Sequence, residues 1–362
     1  MRRHHRCFLT LLAVVACRAT PDSLHRAAAA NTVQIDSVPF VDLVPTDSTG
    51  AVRFGNATDA TRLSSGVLVI PDRTSESLRF ISHDGRVLRE VGRKGAGPGE
   101  FAMIDEIAQC GPDSIFVWDP RQQRASVFDS VGHFVRQFAL PSSPRLLVCN
   151  EAGELATIGS VQGGGMPSLA APPRTGVVTT FTRDGTPRHA FERRVIAENR
   201  PLAATATIAI AGGKLYFGRG DSAVVTATTM DGVPVATRAL GIAGRPVSPA
   251  QYAASIEHLL LALILPADRE MPRTILMKIP APTQLPAFRA LLADPTGAVW
   301  AVTSSYGDGE TVLHGVDSAG VPIGTLRIPR DVDVREIGRD YLLGIVEDAE
   351  GEQHLLVYRV RR

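Results

Sequence analysis

The sequence predicts an all-β protein folded as a six-bladed β-propeller, and three observations predict it. The first is a series of apolar runs of five to seven residues bounded by turn formers: residues 66–72, 114–119, 154–159, 214–218, 298–302 and 341–346. Runs of that length read as strands buried on both faces, one for each of six modules. The second is a glycine turn that recurs after the third strand of the first five modules, at Gly85, Gly132, Gly185, Gly232 and Gly320. Glycine supplies the positive φ of tight hairpins. The spacings are 47, 53, 47 and 88 residues, the last being one repeat plus an insertion of about another repeat length. Such periods with four strands each mark a propeller. The third is an imbalance at the two ends. The sixth module lacks a fourth strand, while residues 38–44 form a spare strand ahead of the first. Used as the outer strand of the last blade, that segment closes the ring and hides an edge.

Taken in order, the chain opens with Arg2, Arg3 and Arg6 followed by an apolar run to Ala16. A basic segment ahead of an apolar one of about ten residues reads as a secretory signal, too short to span a bilayer. The run ends Val14-Val15-Ala16-Cys17, which has the form of a bacterial lipobox, with Cys17 as the lipidated residue. Several acyl chains on one residue give stable anchoring where one is marginal. The alternative is an ordinary cleavage near Ala19 that discards Cys17. Residues 17–37 then serve as lipidated cysteine and tether, and no aspartate follows Cys17 to argue for inner-membrane retention. The expected location is the bacterial cell envelope, at the outer membrane or on the periplasmic side. The propeller spans 38–362. Between blades four and five, residues 241–286 form an insertion with a helix: Ser248 is its N-cap, Pro249 suits the first turn, and Pro266 stops it. Tyr252, Ile256, Leu259, Leu260 and Leu263 make one apolar stripe, expected to pack over the propeller rim.

Composition narrows the function classes. The 362 residues are 44% hydrophobic and 21% charged, which suits a packed, ordered protein. Net charge is +1, and loss of Arg2, Arg3 and Arg6 leaves 35 basic against 37 acidic residues. No clustered basic surface suggests nucleic acid as a partner. No His-x-His, His-Glu-x-x-His or Cys-x-x-Cys spacing suggests a metal, and no Gly-x-Ser-x-Gly elbow suggests a serine nucleophile. Asp72 and Asp119 end second strands and are expected to form Asx-turns. Cys110 and Cys149 end first strands of adjacent blades. Export permits a bond between them, with free thiols as the alternative.

The run Gly92-Arg93-Lys94-Gly95-Ala96-Gly97-Pro98-Gly99-Glu100-Phe101, followed by Phe116-Val117-Trp118-Asp119 and Ala125-Ser126-Val127-Phe128, resembles the NHL repeat. More narrowly the chain resembles bacterial six-bladed propeller lipoproteins related to that family, and its Ile337–Gly344 and Asp294–Trp300 runs do so as well. The resemblance implies the fold and leaves the ligand open, since function sits in sites rather than folds. The crossing's glycines read as backbone bends between blades.

Loops joining a fourth strand to the next blade's first, and those joining second to third strands, share one face. That face holds every long irregular segment, at residues 92–101, 160–175, 241–286 and 304–309. Binding is expected there. First strands bring Glu106, Arg145, Arg289 and Arg335 towards its channel mouth, where arginines suit an anionic or carboxylate-bearing ligand. The expectation is a monomeric, non-catalytic binding or interaction scaffold. Its partner would be a protein, peptide, glycan or small anion, with no cofactor, no metal, and membrane contact through the lipid anchor only. The alternative is a calcium-dependent hydrolase or lactonase of the gluconolactonase or paraoxonase type.

Overall fold

Five four-stranded antiparallel sheets and one of five strands stand around a common axis in the computed structural model, which describes residues 33–46, 48–140, 143–160, 174–197, 201–263, 269–303, 309–348 and 350–362. The expected signal, Cys17 and the expected tether up to residue 32 lie outside the described residues, as do Pro266 and most of the loops at 160–175 and 304–309. The first strands of the six blades are Thr61–Arg62, Ile107–Gln109, Ser143–Cys149, Thr207–Ala211, Ala290–Ala293 and Asp333–Ile337. They touch their neighbours around the axis. Second strands are the most enclosed: all five residues of Leu68–Asp72 are buried, and so are all five of Val299–Thr303. Fourth strands such as Phe134–Ala139 face solvent and form the rim. A fully buried Leu, Ile or Val of a second strand contributes about 1.5–3 kcal/mol, and these strands supply much of the core.

The ring closes as the end imbalance predicts. Val41–Leu43 pairs antiparallel with Gln353–Arg361, the third strand of blade six. A further short strand, Gln34–Ile35, pairs with the end of the same strand. Among the described residues the apolar core of the ring divides into six clusters, one at each junction between blades. Phe116, Trp118 and Leu155 fill the junction of blades two and three, and Trp300, Leu342 and Tyr358 that of blades five and six.

The recurring glycine turns have a second role. Gly85, Gly132, Gly185, Gly232 and Gly320 all have φ between 79° and 90°, and from Gly132 onwards each lies against the fourth strand of the preceding blade. At Gly132 an added Cβ would press on Val91 and Phe80, and at Gly185 on Phe138. Arginines latch the same turns. Arg53 donates to the Gly85 carbonyl at 2.8 Å, Arg89 to that of Val131, and Arg136 to that of Asp184 at 2.8 Å.

The Gly92–Phe101 crossing is tied down from within and from the next blade. Glu100 accepts from Gly97 N at 2.9 Å and from Arg93 Nε at 2.8 Å, while Arg124 Nη2 donates to the carbonyls of Gly97 and Glu100, both at 2.7 Å. The carboxylates of Asp72 and Asp119 close Asx-turns on Thr74 N and Arg121 N, both at 3.0 Å. They also reach back to the preceding crossing, Asp72 to Asn56 N at 2.9 Å and Asp119 to Ala102 N at 2.7 Å.

Among the described residues the insertion holds two helices, α1 (Pro249–Leu263) and α2 (Glu270–Leu276). A capping box starts α1, with Gln251 N donating to Ser248 Oγ at 3.2 Å and Ser248 N to Gln251 Oε1 at 3.0 Å. Among the described side chains its apolar stripe joins none of the blade-junction clusters. Ile256 and Leu260 pack with Leu276 of α2 in a separate small cluster. Cys110 and Cys149 are bonded, with Cα atoms 5.2 Å apart, joining the first strands of blades two and three.

Candidate functional site at the channel mouth

First strands begin at the long-loop end of the axis, so the residues at their starts converge there. Blade one supplies Asp59, blade two Asp105 and Glu106, blade five Arg289, and blade six Asp333 and Arg335. Arg73 reaches in from the turn after the second strand of blade one and pairs with Asp105. Arg335 Nη2 donates to Asp333 Oδ2 at 2.5 Å, and its Nε lies 4.0 Å from Asp59 Oδ1. Arg289 Nη1 lies 3.2 Å from Asp333 Oδ1. Arg289 and Arg335 therefore meet at Asp333, and Glu106 lies within reach of the charge of Arg335. Arg145 has its backbone in Ser143–Cys149, and its side chain is outside the described set.

The same residues clip blade to blade. Asp59 Oδ2 accepts from Ile107 N at 3.0 Å, and Glu106 Oε2 from Leu147 N at 2.8 Å. Glu336 Oε2 accepts from Arg62 N at 3.0 Å, and Thr207 Oγ1 from Leu291 N at 3.1 Å. Arg289 Nη2 donates to Val332 O at 2.7 Å. Each bond spans one junction, so polar groups near the axis do for the inner strands what the apolar clusters do further out.

Enclosure changes the acids. Burial, reinforced by the charges of Asp59 and Asp105, pushes Glu106 up to about 8 against the Leu147 N–H and Arg335. Burial pushes Asp59 up to about 6, opposed by Arg335 and by two backbone N–H groups. Asp105 is raised by burial despite Arg73. At neutral pH Glu106 is a neutral acid that can donate a proton, and Asp59 is ionised and can accept one. Two carboxyls held apart in this way are the usual arrangement for acid–base work.

Asp59, Asp105 and Asp333 escape a reading of the sequence. The available signal is positional: each stands at or just before the start of a first strand, as Glu106 does. Among the described residues no group of three or more His, Cys, Asp or Glu is arranged to hold a metal ion. Arg289 and Arg335 stand among the acids, and a cation there would meet two guanidinium groups. The donor set does not fit calcium.

No family model matches the chain, and no curated protein sequence does. The narrower resemblance to NHL-repeat lipoproteins thus gains no matching family, while solved structures share the fold. A member of the DUF4221 family from Bacteroides vulgatus is 11% identical, with 92% of this chain and 99% of that one covered and a TM-score of 0.54. A candidate exported protein from Bacteroides fragilis is 12% identical, with 92% and 98% covered and a TM-score of 0.52. Virginiamycin B lyase from Staphylococcus aureus is 12% identical, with 92% and 95% covered and a TM-score of 0.45. The two Bacteroides likenesses show the fold alone, and because a fold does not fix a function, the expected non-catalytic scaffold is left without support.

Proposed function

We propose that the protein is an exported enzyme of the hydrolase or lactonase class, acting on a small ester or lactone at the channel mouth. The observation that carries this reading is the pair of enclosed carboxyls, Glu106 at about 8 and Asp59 at about 6, beside Arg335. Asp59 takes a proton from water as the water oxygen attacks the carbonyl carbon. Arg335 donates to the oxyanion that forms. Glu106 gives its proton to the departing alkoxide, so that ester and water become carboxylic acid and alcohol.

Export and anchoring through Cys17 belong to the same proposal. Gln34 pairs with Arg361 at the end of the axis where first strands finish, opposite the acid cluster. A tether leaving there would turn the channel mouth away from the membrane.

The test is a panel of small lactones and aryl esters assayed in the presence of chelator, from pH 5 to 9. The expected rate rises through about pH 6 and falls through about pH 8. Glu106→Gln lowers it at least about a hundredfold, in the usual range for a general acid. Absence of turnover across the panel, or an unchanged rate in Glu106→Gln, refutes the proposal.

A further inference from the structure

Asp333 and Arg335 stand two residues apart on one strand, across a bulge between Val334 and Glu336, and their side chains meet. Asp333 is also reached from the neighbouring blade. One oxygen accepts from Arg335 Nη2 at 2.5 Å and the other lies 3.2 Å from Arg289 Nη1. A single carboxylate thus lies between two guanidinium groups, one to each oxygen, and its side chain is 46% exposed. Arg335 retains an unmet donor: its buried Nε has no hydrogen-bond partner among the described residues, with Asp59 Oδ1 standing off at 4.0 Å.

We propose that Arg289 and Arg335 form a carboxylate-binding fork for which Asp333 is a built-in competitor, and that the ligand taken at the channel mouth carries a carboxylate that replaces it. Planar two-oxygen groups match paired guanidinium donors better than a point charge does. The exposed position of Asp333 lets it swing to solvent when displaced. The unmet Nε supplies one further donor to an incoming oxygen. A competitor tethered at the site reduces apparent affinity by the fraction of time it occupies the fork, so its removal tightens binding. The proposal rests on the channel mouth being the site of reaction and deepens that reading, while its test reads binding without turnover.

The experiment is calorimetric titration of acetate and succinate, with acetamide as the neutral control, into the parent, Asp333→Ala and Asp333→Asn proteins at pH 7 and low salt. The expected result is carboxylate binding at least about tenfold tighter in Asp333→Ala, no binding of acetamide, and loss of the gain in the Asp333→Ala, Arg335→Met double variant. Should Asp333→Ala fail to fold, Asp333→Asn carries the same expectation, because its amide keeps the shape and gives up the charge. Equal acetate affinity in parent and variant overturns the proposal, as does acetamide binding as tightly as acetate. Tight acetate binding without ester turnover supports the fork and refutes the catalytic reading alone.

Discussion

Replacing Glu106 by Gln should make the protein more stable at alkaline pH. The carboxyl moves from an ordinary 4.5 to about 8 in the folded chain. At roughly 1.4 kcal/mol per pH unit that displacement has a ceiling of about 5 kcal/mol. Glu106 keeps partial access to channel solvent and shares its charge repulsion with Asp59 and Asp105, so about 2 kcal/mol is the working figure. The sign follows from proton linkage. A carboxyl raised by folding binds more protons in the folded than in the unfolded chain. Its stabilising share is complete below 4.5 and is lost as pH rises through about 8. Gln is neutral throughout and its amide oxygen can still accept from Leu147 N. Parent and variant should match near about pH 4, and the variant should lead by about 2 kcal/mol near about pH 9. Urea unfolding followed by the fluorescence of Trp118 and Trp300, both buried, measures this. The same stability difference at both ends of that range would refute the reasoning.

Three further outcomes are expected. Gly220→Ala should cost more than about 3 kcal/mol in thermal or urea unfolding, because φ is +73° and the new Cβ would collide with the Phe288 carbonyl oxygen. Removing the Cys110–Cys149 bond as a double alanine variant should lower stability by about 2–4 kcal/mol, in line with closure of a loop of this size, and an unchanged urea midpoint would contradict it. Cys17→Ser should move the protein from the membrane fraction to the soluble fraction of fractionated cells, and continued membrane association would rule out the lipid anchor.

The blade plan was legible because second strands are buried on both faces and read as apolar runs. Residues 114–119 and 214–218 match their strands end to end. The glycine turns were legible because a positive φ selects the residue. The channel mouth was much less so. Asp59 precedes a strand of two residues, too short to show a period, and Asp333 lies 274 positions away from it. Only ring closure brings them together. The arginine latches escaped notice for a related reason: Arg89 and Arg136 look like ordinary rim residues until the next blade's turn is set against them. Helix α2 was missed because Pro272 falls inside its seven residues, where proline is tolerated only near the start.

The closing strand has a consequence for how the molecule is made. Val41–Leu43 leaves the ribosome before any blade exists, yet its partner, Gln353–Arg361, follows all five preceding blades. Five blades can be complete while the outer strand of the sixth still waits for the strands it pairs with. The final docking event therefore joins the oldest and the newest segments of the fold, at some of the longest sequence separations it contains. Contacts of that separation form slowly. The ring therefore stays open until Gln353–Arg361 is available to pair with Val41–Leu43.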